Sequence, residues 1–390
     1  MSRLYMLFYV LLFALLCCRK PYNPPVISSP NSYLVVEGVI NSGQDSTIIK
    51  LSSTVKLNAK TTINPVLGAT VSVESDQQNS YPLIDYSSNG NYASAPLNLS
   101  PSKKYRLKIV TADGKQYFSD FIAVKPTPAI DSIGYTLQNN VVHLYVNTHD
   151  PANSTHYYRW QFDEAWQFHS LYQSYFVLDP GTNTIVHRGP NQGVYYCFDY
   201  NSSSNVILTS TTKLTQDVVY QYPLTSIPIT AERLEMKYSI LVRQYALTTD
   251  AYNFYQNLQK NTEQLGSIFD SQPSQLNGNI HNVNDPNEPV IGYITVTNVQ
   301  SKRIFISNDV LPKYTVPDYP YQCEEDTAFY VNKFGYNDVQ NILINQPLTD
   351  VPTFAIYATS LTGIIGYGYS TPRCVDCTLR GSTKTPLFWK

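Results

Sequence analysis

The stretch Lys104-Tyr105-Arg106-Leu107-Lys108-Ile109-Val110, with Ala112-Asp113-Gly114-Lys115 and the run Tyr117 to Val124 behind it, decides the fold class. Tyr105, Leu107 and Ile109 alternate with Arg106 and Lys108. One face is therefore apolar and the other charged, the period of two expected of a half-buried strand. Asp113-Gly114 is hairpin chemistry, because a tight turn needs positive φ and glycine adopts it freely. The same pattern runs upstream. Tyr33 to Ile40 reads as a strand, Asn41 to Asp45 as a turn and Ser46 to Val55 as the return strand. Gly68 to Glu74 alternates again, and Asn89 to Tyr92 marks another turn. Short strands at this spacing predict a β-sandwich over residues 33–126.

Lys125-Pro126-Thr127-Pro128 interrupts any strand and is the expected boundary. Residues 129–390 read as a larger β-rich domain, again of sandwich type, with one helical insertion. Val141 to Val146 is a strand, Asp150-Pro151-Ala152-Asn153 a turn, and His156 to Phe162 the next strand. On that strand alternation puts Tyr158, Trp160 and Phe162 on the core face, and Tyr157, Arg159 and Gln161 on the other. Leu234 to Ala246 is a long strand. The spacing of Tyr252, Tyr255, Leu258 and Leu265 predicts a helix over 249–265, capped by Thr248 or Thr249 and stopped by Gly266. Strands return at 290–299 and 303–306, residues 308–322 form a Pro/Tyr-rich loop, and 351–365 is a final strand region. The aromatic pair Phe388-Trp389 is expected to pin the terminus to the body.

The first residues carry an address. Arg3 precedes an almost unbroken apolar run from Leu4 to Leu16, the length of a signal-peptide core rather than a membrane span. Cys17-Cys18 follows, and cleavage before Cys18 leaves the smaller residue at the cut. Residues 1–17 are therefore expected to be a lipoprotein signal peptide and Cys18 the lipidated residue, so that acyl chains supply the membrane contact. Residues 18–32, rich in proline, read as an extended tether.

Only 14% of the 390 residues are charged, against about a quarter in an average chain. Serine, threonine, asparagine, glutamine and 33 tyrosines replace them, which suits an exported β-protein. A net charge of −2 gives no reason to expect nucleic acid as a partner. Besides Cys18, the mature chain holds Cys197, Cys323, Cys374 and Cys377. In an oxidising compartment they predict two disulfides with three connectivities open. Cys374-Val375-Asp376-Cys377 has redox spacing but lacks the βαβ setting of such a site, so a structural role is expected.

No metal-protease, nucleophile-elbow, P-loop or dinucleotide motif occurs, and no catalytic residue, metal or cofactor is expected. Asp163-Glu164 and Glu324-Glu325-Asp326 read as solvated turns. The loop Asn284-Asp285-Pro286-Asn287-Glu288 lacks the spacing of a calcium loop. Tyr157 and Trp166, beside Trp160 and Phe168, are the candidates for contact with a small-molecule, glycan or peptide ligand through an aromatic platform.

These segments together carry a resemblance. Tyr33–Ile40 with Asp45–Leu51, Tyr157-Tyr158-Arg159-Trp160 with Glu164 and Trp166, and Tyr238–Tyr245 leading to Ala251-Tyr252 follow one pattern. So do Phe269-Asp270, Gly278-Asn279-Ile280, Pro289 to Tyr293, and Cys374–Cys377 with Phe388-Trp389. The chain resembles the DUF4249 family of Bacteroidetes lipoproteins, and its first sandwich resembles transthyretin-like, Ig-like domains. Family members are typically encoded beside TonB-dependent receptors. The resemblance implies a non-enzymatic lipoprotein of the outer membrane, on its periplasmic or cell-surface face, that assists a receptor barrel in nutrient uptake. A structural or adhesive envelope protein is the alternative, and a hydrolase with an unrecognised site the second. The family has no assigned binding or catalytic residues to carry over. Asp45-Ser46-Thr47, Asp131-Ser132-Ile133 and Asp326-Thr327-Ala328 resemble the O-glycosylation sequon of the same bacterial group, naming Ser46, Ser132 and Thr327 as acceptors.

Overall fold

The computed structural model describes residues 32–55, 63–263, 278–312, 318–359 and 363–390. The expected signal peptide, Cys18, nearly all of the tether, and the expected helix end at Leu265-Gly266 lie outside the described residues.

The alternating segments form a sandwich of two sheets. In the first sheet Leu34–Asn41 pairs with Ile48–Ser53, which also takes Asn64–Pro65 and Asn91–Ala93. In the second, Lys104–Val110 lies between Thr70–Ser75 and Gln116–Ser119, with Ser80–Leu83 outside. Tyr105, Leu107 and Ile109 are buried against Val36, Ile49, Leu51, Val71 and Val73, as the alternation requires. Apolar burial at this scale is the main force holding the sheets face to face.

This sandwich is completed from far along the chain. Val296–Thr297 joins the first sheet in parallel beside Leu34–Asn41, and Ile280–Asn282 joins the second beside Gln116–Ser119. Ile280, Val290, Ile294 and Val296 fill its core. The proline pair at 126 and 128 therefore marks a crossing, and residues 279–297 pack with the N-terminal sandwich although they follow the boundary in sequence. Strand pattern is short here, only Val296–Thr297 within the expected 290–299, because Gly292 and the prolines at 286 and 289 break the periodicity. Gly292 has φ of +147°, and a Cβ on it would stand 2.2 Å from the Val36 carbonyl oxygen. Only a residue without a side chain lets this segment reach the first strand.

The second sandwich packs Ile130–Gln138, Val141–His149 and Val218–Pro228 against a five-stranded sheet. That sheet holds Tyr196–Ser202, Tyr157–His169, Lys237–Ala246 and Gln300–Ser307 in order, with Ile207–Ser210 also on the long central strand. Tyr158, Trp160 and Phe162 face the core as expected, with Trp166 and Phe168 beside them. The turn at Asp150 is built by its carboxylate, which accepts from the amides of Ala152, Ser154 and Thr155 at 2.9, 3.0 and 2.8 Å and from Ser154 Oγ at 2.8 Å. Partial desolvation opposes its charge, but those donors outweigh it and hold the pKa at about 2.

Asp163-Glu164 is not a solvated turn. Both residues lie within the strand Tyr157–His169, and Glu164 is 2% exposed. Its carboxylate is held by Arg233 Nη1 at 3.0 Å, Asn201 Nδ2 at 2.8 Å and the Tyr238 hydroxyl at 2.6 Å. Burial pushes the Tyr238 phenol up, and the neighbouring carboxylate adds to it.

A third, smaller module closes the chain. Ile364–Ser370 lies between Asp326–Phe329 and Val351–Tyr357, so the expected final strand region is two antiparallel strands. The hairpin Phe176–Asp179 with Thr184–His187 packs on it through Phe176, against Ala328 and Tyr367. Cys197 bonds Cys377 and ties the end of this module to the second sandwich, while Cys323 bonds Cys374 and joins the module's two flanks. Trp389 meets Phe198 and Phe305 edge-on, with centroids at 5.0 and 5.6 Å, and so pins the tail as expected.

Three outcomes follow in denaturation experiments. Glu164→Ala leaves Arg233, Asn201 and Tyr238 without their acceptor and lowers unfolding free energy by about 3 kcal/mol in urea titration. Gly292→Ala drives a methyl group into the Val36 carbonyl and costs about 3 kcal/mol, with early loss of amide protection at residues 34–40. Asp150→Asn costs about 1 kcal/mol at pH 7. Because the folded pKa lies below the ordinary 3.8, the carboxylate's stabilisation is complete above that value and lost as pH falls through about 2. The gap between wild type and Asp150→Asn therefore closes between pH 4 and 2.

Candidate functional site

The helix Thr249–Glu263 lies at the junction of the two sandwiches. Thr248 caps it, its Oγ1 accepting from the Ala251 amide at 3.3 Å and its carbonyl from the Tyr252 amide at 2.9 Å. The buried face is centred on Ala251, Phe254 and Tyr255, with Tyr252 and Leu258 at its margins. It packs on Val39 of the first sandwich and on Leu208, Tyr245 and Leu247 of the second. Phe254 also meets Tyr293, from the returning segment, at 5.3 Å between ring centroids.

Below the helix is a cavity of about 900 Å³. The first strand and its turn give it Glu37, Val39, Asp45 and Ser46, and the returning segment gives Gly292 and Tyr293. The central strands of the second sandwich give Arg159, Gln161, Arg243 and Tyr245, and Ser203 to Val206 close one side. Its wall is thus part aromatic and part polar, the mixture that binds organic ligands.

Two guanidinium groups stand in this wall, in different states. Arg243 Nη2 donates to Asp163 Oδ2 at 2.5 Å. Burial opposes its charge, but Asp163 prevails and its pKa is raised. Arg159 is 9% exposed and has no such partner among the described residues. Its central carbon lies 4.7 Å from the Tyr245 ring centroid and 4.3 Å from that of Tyr255. Nη2 makes one long hydrogen bond, to Gln161 Oε1 at 3.4 Å, and Nε makes none. Burial pushes the Tyr245 phenol up, while the Arg159 cation pulls it back. Glu37, on the facing wall, pairs with Lys50 at 2.9 Å.

The residues singled out in the sequence lie elsewhere. Trp166 is 8% exposed within the second core, its Nε1 donating to Glu232 at 3.4 Å, so it offers no stacking face to a ligand. Tyr157 is half-buried under the helix, 4.7 Å from the Tyr252 ring. Neither lines the cavity. The two cysteines of the Cys374–Cys377 motif bond to different partners rather than to each other. Ser46, Ser132 and Thr327 are all exposed, Ser46 at the cavity wall. Glu288 is occupied by Lys115 at 3.0 Å and the Tyr117 hydroxyl at 2.9 Å, within the first sandwich. Among the described residues no three His, Cys, Asp or Glu side chains converge as a metal site, and no helix is long and apolar enough to cross a membrane. The face of the strand carrying Arg159 was legible from alternation. Its burial was not, because the helix and the returning segment that cover it come from distant sequence.

No curated protein matches the chain. The crystal structure of a proposed carbohydrate binding protein from Bacteroides uniformis ATCC 8492 is similar over 57% of this chain and 93% of its own. At 12% identity and a TM-score of 0.16, that similarity carries no argument about fold or ligand. The model of a family described as a domain of unknown function, DUF4249, matches residues 19–303, most of the chain and all of the cavity wall, and the chain belongs to that family.

Proposed function

We propose that this protein is a lipid-anchored outer-membrane lipoprotein that captures a ligand in the junction cavity as the non-enzymatic accessory of a TonB-dependent receptor. The cavity is the observation that carries the reading: about 900 Å³, lined by two sandwiches and a helix, with aromatic rings, hydroxyls and guanidinium groups on its wall. That is the size and chemistry of a site for a small organic molecule. Among the described residues no histidine lines it, and of the wall carboxylates Glu37 is engaged by Lys50 while Asp45 lies on an exposed turn, which favours binding over general acid–base chemistry. The apolar run Leu4 to Leu16 ending at Cys18 supports the lipid anchor, and the two disulfides suit an oxidising compartment. A spacer or adhesin has no use for a buried arginine that lacks an acidic partner.

The test uses tagged full-length protein in gently solubilised membranes. The expected result is recovery of a receptor barrel with it, and a diacylglycerol thioether on Cys18 by mass spectrometry of the N-terminal peptide. Unacylated protein free in the culture fluid, recovering no barrel, would sink the proposal.

A further inference from the structure

A guanidinium taken out of water is costly unless an anion or a set of acceptors meets it. Arg159 has neither: it is 9% exposed, Nε has no acceptor, Nη2 has one at 3.4 Å, and none of the ion pairs among the described residues includes it. The rings of Tyr245 and Tyr255 hold it in place by cation–π contact at 4.7 and 4.3 Å. With Nε unpaired and Nη2 held by one long bond, most of the group's donor capacity is unspent. The side chain nonetheless lines a cavity large enough for a ligand.

We propose that Arg159 anchors a carboxylate subsite in this cavity, so that the captured molecule is a small organic acid with an aromatic or apolar body. The proposal rests on the ligand-capture reading above. A guanidinium edge matches a carboxylate in plane, through two parallel hydrogen bonds. The charge on the wall selects a monoanion. Arg243 is already neutralised by Asp163 and Glu37 by Lys50, so Arg159 is the unpaired cation of the wall among the described residues, and Asp45 on the first sandwich opposes a second negative charge, which disfavours phosphate dianions. Phe254 and Tyr293, 5.3 Å apart, give the body of the ligand an apolar surface beside the charge. Tyr245 and Tyr255 have the role of holding the cation for its partner rather than of contacting the ligand carboxylate themselves.

Calorimetric titration of the full mature protein with matched pairs of probes tests this: acetate against acetamide, benzoate against benzamide, and N-acetylphenylalanine against its amide. At least one carboxylate is expected to bind about tenfold or more tightly than its amide. Arg159→Gln brings that carboxylate down to the amide's affinity with circular dichroism and melting unchanged, and Arg159→Lys, which keeps the charge but loses the fork, falls between. If Arg159→Gln does not fold, the wild-type pairs and Arg159→Lys still decide. Equal binding of carboxylates and amides, or full carboxylate affinity in Arg159→Gln, overturns the carboxylate subsite and leaves ligand capture standing. Binding of none of the six probes, in protein that also recovers no barrel, overturns both.

Discussion

Backbone hydrogen bonds between the first strand and the returning segment close the first sandwich with chain that leads directly into the second. The Val36 amide donates to the Ile291 carbonyl at 2.8 Å, Ile291 to Leu34 at 2.9 Å, Ile40 to Thr295 at 2.9 Å and Ser42 to Thr297 at 3.0 Å. The crossing at residues 125–128 is sewn into the same seam. The Lys125 amide donates to the Val296 carbonyl at 2.9 Å, and Thr297 Oγ1 to the Lys125 carbonyl at 2.6 Å. Thr127 Oγ1 then accepts from the Ala246 amide at 3.0 Å, joining the seam to the second sandwich. Buried main-chain groups have to be paired somewhere, and here they are paired across the junction. The cavity exists because this seam fixes one wall against the other while the helix spans the gap.

One strand of the second sandwich carries two buried charges of opposite fate. Glu164 and Arg159 are an odd number of residues apart on Tyr157–His169, so they face opposite sides of the sheet. Glu164 points toward the core and finds an arginine, an asparagine and a phenol. Arg159 points to the junction and finds two aromatic rings and a weak amide contact. A fold under selection for stability alone gains nothing from the second arrangement, since an apolar residue of similar volume would fill the same space without a desolvation cost. The contrast is what separates a structural charge from one available to a ligand.

Local rules exposed much of this to a reader of the sequence. Alternation at Tyr105, Leu107 and Ile109, the glycine hairpin at 114, the Asp150 turn and the capped helix after Thr248 all formed as their chemistry dictates. Alternation on Tyr157–Phe162 also sorted core from junction face. What stayed hidden depends on partners remote in sequence. Nothing local marks Val296–Thr297 as a strand of the first sheet, because its partner is Ile40-Asn41. Asp163-Glu164 looks solvent-bound until Arg233 and Tyr238 arrive to meet it. Trp166 suggests a platform by its size, yet the two sheets close over it. The cavity itself has no motif, since its wall is gathered from six separated stretches of chain.

The late arrival of residues 279–297 bears on how such a chain is made. As synthesis runs from the N-terminus, the leading sandwich stays short of an edge in each sheet until Ile280 and Thr297 emerge. Its apolar interior remains open throughout that interval, so collapse is postponed and governed by contacts of high sequence separation. The side of the cavity that the first sandwich supplies is therefore fixed only after residue 297 has joined its partner strand.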